Sequence, residues 1–188
     1  MTGFDSETLR NRAAEYGDRE AFAVVENERL ETMPEAFRNG TYLWKDCEWI
    51  VRWYSRRSLD GHLNPAEETF RQNRMERVEV AIELAVEAKR TIDKLDALLT
   101  LEGIDVPIAS AFLQFMDPKA YAAISNPCWR ALVDADILSG AYPEIVGLKD
   151  YDRFLGACRE LAGDAEMPVF AVGRALWRIG LSSEDVRR

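Results

Sequence analysis

The feature that most constrains the fold of this chain is its hydrophobic spacing, which is helical almost everywhere. Between Arg74 and Arg90, apolar residues recur three or four positions apart, and Glu76, Glu79 and Glu83 lie off that stripe. Such spacing buries one side of an α-helix and leaves the other side in water. The alternation of apolar and polar residues that is typical of a half-buried strand is absent from the sequence. We therefore expect an all-α protein of eight to ten helices.

Capping and breaking residues predict where these helices begin and end. The predicted helices cover residues 6–16, 19–38, 42–57, 74–90, 93–101, 107–116, 127–137, 149–162 and 168–180, with a loop from Ser58 to Pro65. With 188 residues, 47% of them hydrophobic, the chain can close a core of its own. We expect an N-terminal helical segment, residues 1–70, packed on a helical core of residues 71–188.

Several classes of protein conflict with the composition. Cys47, Cys128 and Cys158 contain no CxxC pair, so disulfides are not expected to hold the fold. His62 is the only histidine, which leaves too few ligands for a structural zinc site and removes most schemes of nucleophile, histidine and carboxylate. We expect no metal and no cofactor. No apolar run reaches the eighteen or so residues of a membrane span, so we expect a cytoplasmic protein without membrane contact.

Charge gives a mixed indication about nucleic acid. The net charge of −9 argues against a protein that coats polyanions nonspecifically. On a helical wheel of residues 42–57, however, Lys45, Trp49, Arg52 and Arg56 gather on one side. A basic face with an aromatic side chain between its charges can hold a phosphate and stack a base, so these four residues are candidate DNA contacts. The alternative is a solvated helix face whose tryptophan packs on a neighbour.

A helical hairpin is the most specific motif. Residues 95–111 predict a helix, a short turn around Gly103, and a second helix that packs closely through Ala-Ser-Ala. This pattern resembles the helix-hairpin-helix, whose turn directs backbone N–H groups at a DNA phosphate. The candidate contacts here are Gly103, Ile104, Val106 and Ser110, through backbone or hydroxyl groups.

The resemblance continues beyond the hairpin. An Asp-Pro-x-x-Tyr turn at 117–121, the segment Asn-Pro-Cys-Trp-Arg-Ala-Leu at 126–132 and a late Arg-Ala-Leu-Trp helix at 174–177 follow in order. Together they resemble the helix-hairpin-helix DNA glycosylase superfamily, which includes 8-oxoguanine DNA glycosylase, over about residues 74–180. The nearest resemblance is to a catalytically degenerate subgroup from bacteria and archaea. It implies a glycosylase-like helical fold and a role in DNA repair or damaged-base recognition.

Departures from the family pattern decide the functional prediction. Pro107 stands where the family places its lysine nucleophile, and Ser125 stands where it places its catalytic aspartate. Proline has no amine and serine has no charge, so neither can do that chemistry. Asp105 replaces the second hairpin glycine, and its carboxylate would repel a phosphate. We therefore expect a DNA-binding protein without the usual base excision.

Two alternatives remain open at this stage. An active DNA N-glycosylase would need a non-standard carboxylate, for which Asp117 is the nearest candidate, although Asp-Pro is also an ordinary helix stop. A helical protein-interaction module, binding another protein or a second copy of itself, would have no nucleic-acid role and would suit the acidic charge. Trp129 and Trp177 are candidates to line a pocket for an extruded base, or to lie in the core.

Overall fold

The computed structural model describes residues 3–57 and 65–185, and in these residues the chain forms ten α-helices and no strand. The all-α prediction is confirmed. The helices are α1 (Ser6–Arg19), α2 (Ala23–Asn39), α3 (Trp44–Arg57), α4 (Pro65–Phe70), α5 (Met75–Glu87), α6 (Thr91–Leu98), α7 (Val106–Met116), α8 (Asn126–Asp134), α9 (Leu148–Ala165) and α10 (Val169–Asp185). Of the predicted loop, Ser58–Asn64, with His62, lies outside the described residues.

Several boundaries differ from the predicted ones. The range predicted for α1 begins correctly at residue 6 but stops short of Arg19, and Asp5 is its N-cap, because the Asp5 carboxylate accepts the Thr8 N–H at 2.7 Å. Helix α2 continues through Pro34 and ends where Gly40 turns left-handed, with φ of 65°. Helix α9 runs through Gly163 and ends at Glu166, which adopts the left-handed conformation without being a glycine. Helix α4 was not predicted at all.

Helix α7 lies at the centre of the molecule. Every residue from Ile108 to Phe115 is buried, as expected for a helix that is apolar on all sides. Helices α2, α3, α6 and α9 pack around it, while α10 packs between α1 and α8. The hairpin predicted from the sequence therefore contains the most buried helix of the described fold.

A buried ion pair joins the N-terminal helices to the last helix. Glu26 of α2 is fully buried and accepts hydrogen bonds from Tyr16 Oη at 2.7 Å and Trp53 Nε1 at 3.0 Å. Arg174 of α10 donates to the same carboxylate from Nε at 3.0 Å. A buried carboxylate is tolerated only when its hydrogen-bonding capacity is met in this way. Helices α1, α2, α3 and α10 thus share one polar centre within the apolar core.

Across the described ranges, no helix is both long enough and apolar enough to span a membrane.

Candidate nucleic-acid interface

The turn predicted around Gly103 is present as a corner between α6 and α7, and we call residues 99–105 the corner. Gly103 has φ of +78°, a conformation that L side chains rarely adopt. Asp105 is the N-cap of α7, and its Oδ1 accepts the Ile108 N–H at 2.9 Å. The N–H of Ile104 is bonded to Leu101 O at 3.3 Å. Among the described residues, no acceptor bonds the N–H of Gly103 or Val106, and donors just before and at a helix start are normally met by solvent or by a ligand.

The corner is held from one side by α4 and by Asn73. A Cβ atom on Gly103 would lie 2.5 Å from Ala66 O and 2.7 Å from Phe70 N, so α4 packs directly on the glycine backbone. The buried amide of Asn73 accepts the Glu102 N–H and donates to Glu102 O, both at 2.9 Å. The corner is consequently fixed in place before any ligand binds. This contact also explains the glycine without reference to a phosphate.

Charged side chains of both signs surround the corner. Arg77 pairs with Glu102 at 3.3 Å and donates to Thr100 O, and Arg74 is exposed at the start of α5. Asp105 retains contact with solvent, but the protein atoms packed around its carboxyl raise its pKa above the ordinary value. Its hydrogen bond from Ile108 acts in the opposite direction. The two corner carboxylates offset much of the positive charge that a phosphate would need.

Helix α3 does not present the free basic face that the wheel suggested. Lys45 is exposed, but Trp49 turns inward and packs edge-on against Phe115, with ring centroids 5.3 Å apart. Arg52 donates two hydrogen bonds to Glu67 of α4, at 2.6 and 3.1 Å. Arg56 belongs to α3, but its side chain lies outside the described part of the structure. Of the described members of this set, only Lys45 is free to meet an external phosphate.

Glu67 also neutralises a second arginine. Arg71 bonds to Glu67 at 2.8 Å and to Glu48, so Arg52, Arg71 and the two glutamates form a chain of ion pairs across α3 and α4. This network joins the two helices and consumes the positive charge that could have extended the predicted patch. Exposed pairs of this kind contribute little to stability, about 0 to 1 kcal/mol each.

Ser110 lies in the core rather than at the surface. Its hydroxyl donates to Pro107 O and accepts the Ile124 N–H at 3.0 Å, so it has no hydrogen bond left for a phosphate. One turn further along α7, Gln114 Oε1 accepts the Ala123 N–H at 2.9 Å. The two side chains together fix the extended segment that leads into α8. The side chains of Ile104 and Val106 are also buried, so both residues can reach a ligand only through their backbone.

The two positions that the resemblance to glycosylases aligns with catalytic residues carry neither an amine nor a carboxylate. Pro107 lies in the first turn of α7, where proline is well tolerated. Ser125 is the buried N-cap residue of α8, and its hydroxyl donates to Cys128 Sγ at 3.1 Å. Asp117 is exposed at the other end of the 11-residue helix α7, about 15 Å along the helix axis from the corner. Asp117 is therefore remote from the corner, whereas Pro107 and the segment just before Ser125 both bond to the hydroxyl of Ser110.

Two tyrosines beside Ser125 were missed in the sequence analysis. Tyr54 of α3 donates to Ile124 O at 2.8 Å, and Tyr142 lies within hydrogen-bonding reach of Tyr54. Burial raises the pKa of Tyr142 to about 12 and that of Tyr54 well above its usual value, so both phenols stay neutral. Trp129 and Trp177 are each 2% exposed and belong to the core. No sequence signal pairs Tyr54 with Tyr142, since 88 residues separate them.

The described residues contain no group of three or more His, Cys, Asp or Glu side chains that could hold a metal ion. The three cysteines are buried as free thiols.

No family model, curated protein or solved structure matches this chain. A proposal about its function therefore depends on the geometry described above.

Proposed function

We propose that this chain binds DNA through the corner between α6 and α7, without removing bases. The observation that supports this proposal is the preformed corner itself. Gly103 is left-handed and partly exposed, Asn73 fixes the neighbouring peptide, and the N–H groups of Gly103 and Val106 have no acceptor among the described residues. Rigid backbone amides at the start of a helix are a suitable site for one phosphate.

The absence of base excision in this proposal follows from the chemistry of the corner's surroundings. A lyase needs an amine at Pro107, and an oxocarbenium-like centre needs a carboxylate at Ser125. Ser125 is 6% exposed, with its hydroxyl bonded to Cys128, so it offers neither charge nor access. Asp117 is at the wrong end of α7 to replace it. A resemblance to glycosylases then implies a retained binding fold rather than a retained reaction.

The charges at the corner imply weak binding. Glu102 and Asp105 oppose a phosphate, and Arg52 is already paired with Glu67. The observed affinity should therefore fall only gently with salt, by about 0.9 logarithmic units per log unit of salt for each phosphate contacted. We expect one or two such contacts.

The test is fluorescence anisotropy of a labelled DNA duplex across a salt series. Asp105→Asn keeps an N-cap side chain for Ile108 but removes the repelling charge, so it should tighten binding severalfold. Asp18→Asn makes the same change in charge at an exposed position of α1 and should leave affinity nearly unchanged. Equal effects of the two variants, or no salt-dependent binding of wild type, would contradict the proposal.

A second variant tests the backbone contact. Val106→Pro removes one N–H at the first position of α7, where helices accept proline, and should weaken DNA binding while the fold persists.

Incubation with duplexes containing 8-oxoguanine, uracil or 3-methyladenine, followed by alkali, tests for catalysis. More strand breaks than in a control without protein would refute the proposal that the chain removes no bases and would favour an active glycosylase.

A protein-interaction module is the second candidate, favoured by one surface. On α5, the glutamates Glu76, Glu79, Glu83 and Glu87 are exposed, and Val80 and Leu84 between them are 54% and 52% exposed. All six residues fall within about 140° of the helix surface at 100° per residue. Flat anisotropy would favour this candidate, and a concentration-dependent mass of the chain in light scattering would identify a second copy as the partner.

A further inference from the structure

A cavity of about 560 Å³ lies between the N-terminal ends of α6 and α9, away from the corner. Its walls include Thr91, Ile92 and Leu95 from α6, and Leu148 and Tyr151 from α9. The volume falls within the range of small-molecule sites, about 300 to 1,000 Å³. The corner is at the other end of α6, about 12 Å away along this eight-residue helix.

The base of the cavity is apolar. Leu95 is 1% exposed and Tyr151 is fully buried, so both support the cavity wall from behind, and the apolar surface open to a ligand belongs to Ile92 and to the half-buried Leu148. Ile92 stands at the rim and is 44% exposed, which is unusual for a large aliphatic side chain. A small apolar or aromatic group placed here would cover Ile92 and be removed from water on one side.

The rim of the cavity is positively charged. Arg90, Lys149 and Arg153 line it, and Asp152 is the one lining carboxylate. Lys149 is exposed and has no side-chain partner among the described residues. With Asp93, which pairs with Arg90, the rim has three cations against two carboxylates, and this local excess favours an anion even on a chain of net charge −9.

The two arginines have donors to spare. Arg153 donates one hydrogen bond to Ser139 O at 3.3 Å and lies over the Trp129 ring, with its Cζ atom 5.4 Å from the ring centroid. Arg90 is paired with Asp93 through Nε and Nη2. A guanidinium has five N–H donors, so each arginine retains some for a ligand. The N-terminal ends of α6 and α9 also carry partial positive charge, which adds to the same field.

We propose that this cavity binds a small organic anion, with a phosphate or carboxylate at the cationic rim and a body no larger than a single ring against Ile92 and Leu148. The inference is independent of DNA binding at the corner, because it uses other residues at the opposite end of α6. A nucleic acid could supply the same phosphate chemistry, and the test below separates the two sources.

The test is a titration of the full chain, labelled with ¹⁵N, with phenyl phosphate. We expect saturable shifts of the backbone N–H signals of Thr91, Ile92, Leu148 and Lys149. Phenol and inorganic phosphate, which provide the body and the head alone, should each bind more weakly than phenyl phosphate. Absent or non-saturating shifts at these four amides would overturn the proposal. So would shifts of these amides by a DNA duplex but not by phenyl phosphate, because the cavity would then belong to the nucleic-acid surface.

Charge-reversal variants identify the rim. Lys149→Glu combined with Arg153→Glu should weaken phenyl phosphate binding on the order of tenfold or more, because two charge-assisted contacts are replaced by repulsion. Lys119→Glu reverses an exposed cation that does not line this cavity and should leave the affinity unchanged. If the double variant loses its fold, Lys149→Glu alone retains the test, since no described residue depends on that side chain. Unchanged binding in a folded Lys149→Glu variant would overturn the assignment.

Discussion

Replacing Gly103 with alanine should destabilise the fold by about 1 to 5 kcal/mol. The left-handed backbone, at φ of +78°, costs an L residue about 1 to 2 kcal/mol. The new Cβ would lie 2.5 Å from Ala66 O and 2.7 Å from Phe70 N, and relieving such overpacking typically costs about 1 to 3 kcal/mol. The lower entropy of the unfolded alanine variant returns about 0.4 to 1 kcal/mol. Urea denaturation followed by circular dichroism measures the difference.

Two control glycines separate these contributions. Gly40→Ala has a similar φ, 65°, but nothing lies within 4 Å of its Cβ, so it should lose only the conformational share, about 1 kcal/mol. Gly156→Ala in α9 also enters open space and should stabilise the helix by about 0.5 to 1 kcal/mol. If Gly103→Ala costs no more than Gly40→Ala, α4 does not pack on the corner as described. Gly103→Ala is not used to test DNA binding, because a loss of binding could come from a displaced α4 as well as from a lost phosphate contact.

Three further perturbations test the buried groups. Glu26→Gln should destabilise the protein by about 3 to 5 kcal/mol, because the guanidinium of Arg174 then stays buried without its counter-charge; a loss below about 1 kcal/mol in urea denaturation would contradict this. Folding raises the pKa of Asp105, so the folded state is favoured while this carboxyl is protonated and loses stability as pH rises through the folded pKa. Asp105→Asn should therefore raise the melting temperature more at pH 8 than at pH 4. An equal change in melting temperature at both pH values would refute this. Burial raises the pKa of Cys47 to about 12 and that of Cys158 well above its usual value. A disulfide reagent should therefore label these two thiols only as fast as the chain unfolds, and rapid labelling of the native protein would contradict this prediction.

Long helices with a clear apolar stripe were predictable from the sequence. The helix predicted over 107–116 is observed as α7, and its Pro near the start and Asp117 after its end are the signals that located it. Helix α4 was missed because it has six residues, too few for a hydrophobic period to be recognised. That omission matters most for the site, since α4 supplies both Glu67 and the backbone that covers Gly103.

The candidate contacts were less predictable than the helices because their partners are distant in sequence. Trp49 was placed on the basic side of α3, but Phe115, 66 residues later, draws it inward. The wheel identified Lys45 and Arg52 as neighbours on one face and gave no information about Glu67, which pairs with Arg52. A helical wheel reports which residues share a face; the element packed on that face decides whether their charges are free.

The glycine of the corner and the unbonded amides around it differ as evidence for DNA binding. Gly103 is explained completely by α4, whose backbone occupies the space that a Cβ would need. Unbonded N–H groups such as those of Gly103 and Val106 are ordinary just before and at a helix start, where they are left to solvent or to a ligand, so they permit a phosphate contact without requiring one. Asp105 already bonds the Ile108 N–H of that helix start, so an anion must compete with its charge there. The affinity of the corner for a phosphate is thus limited by one carboxylate, and Asp105→Asn is the substitution that measures by how much.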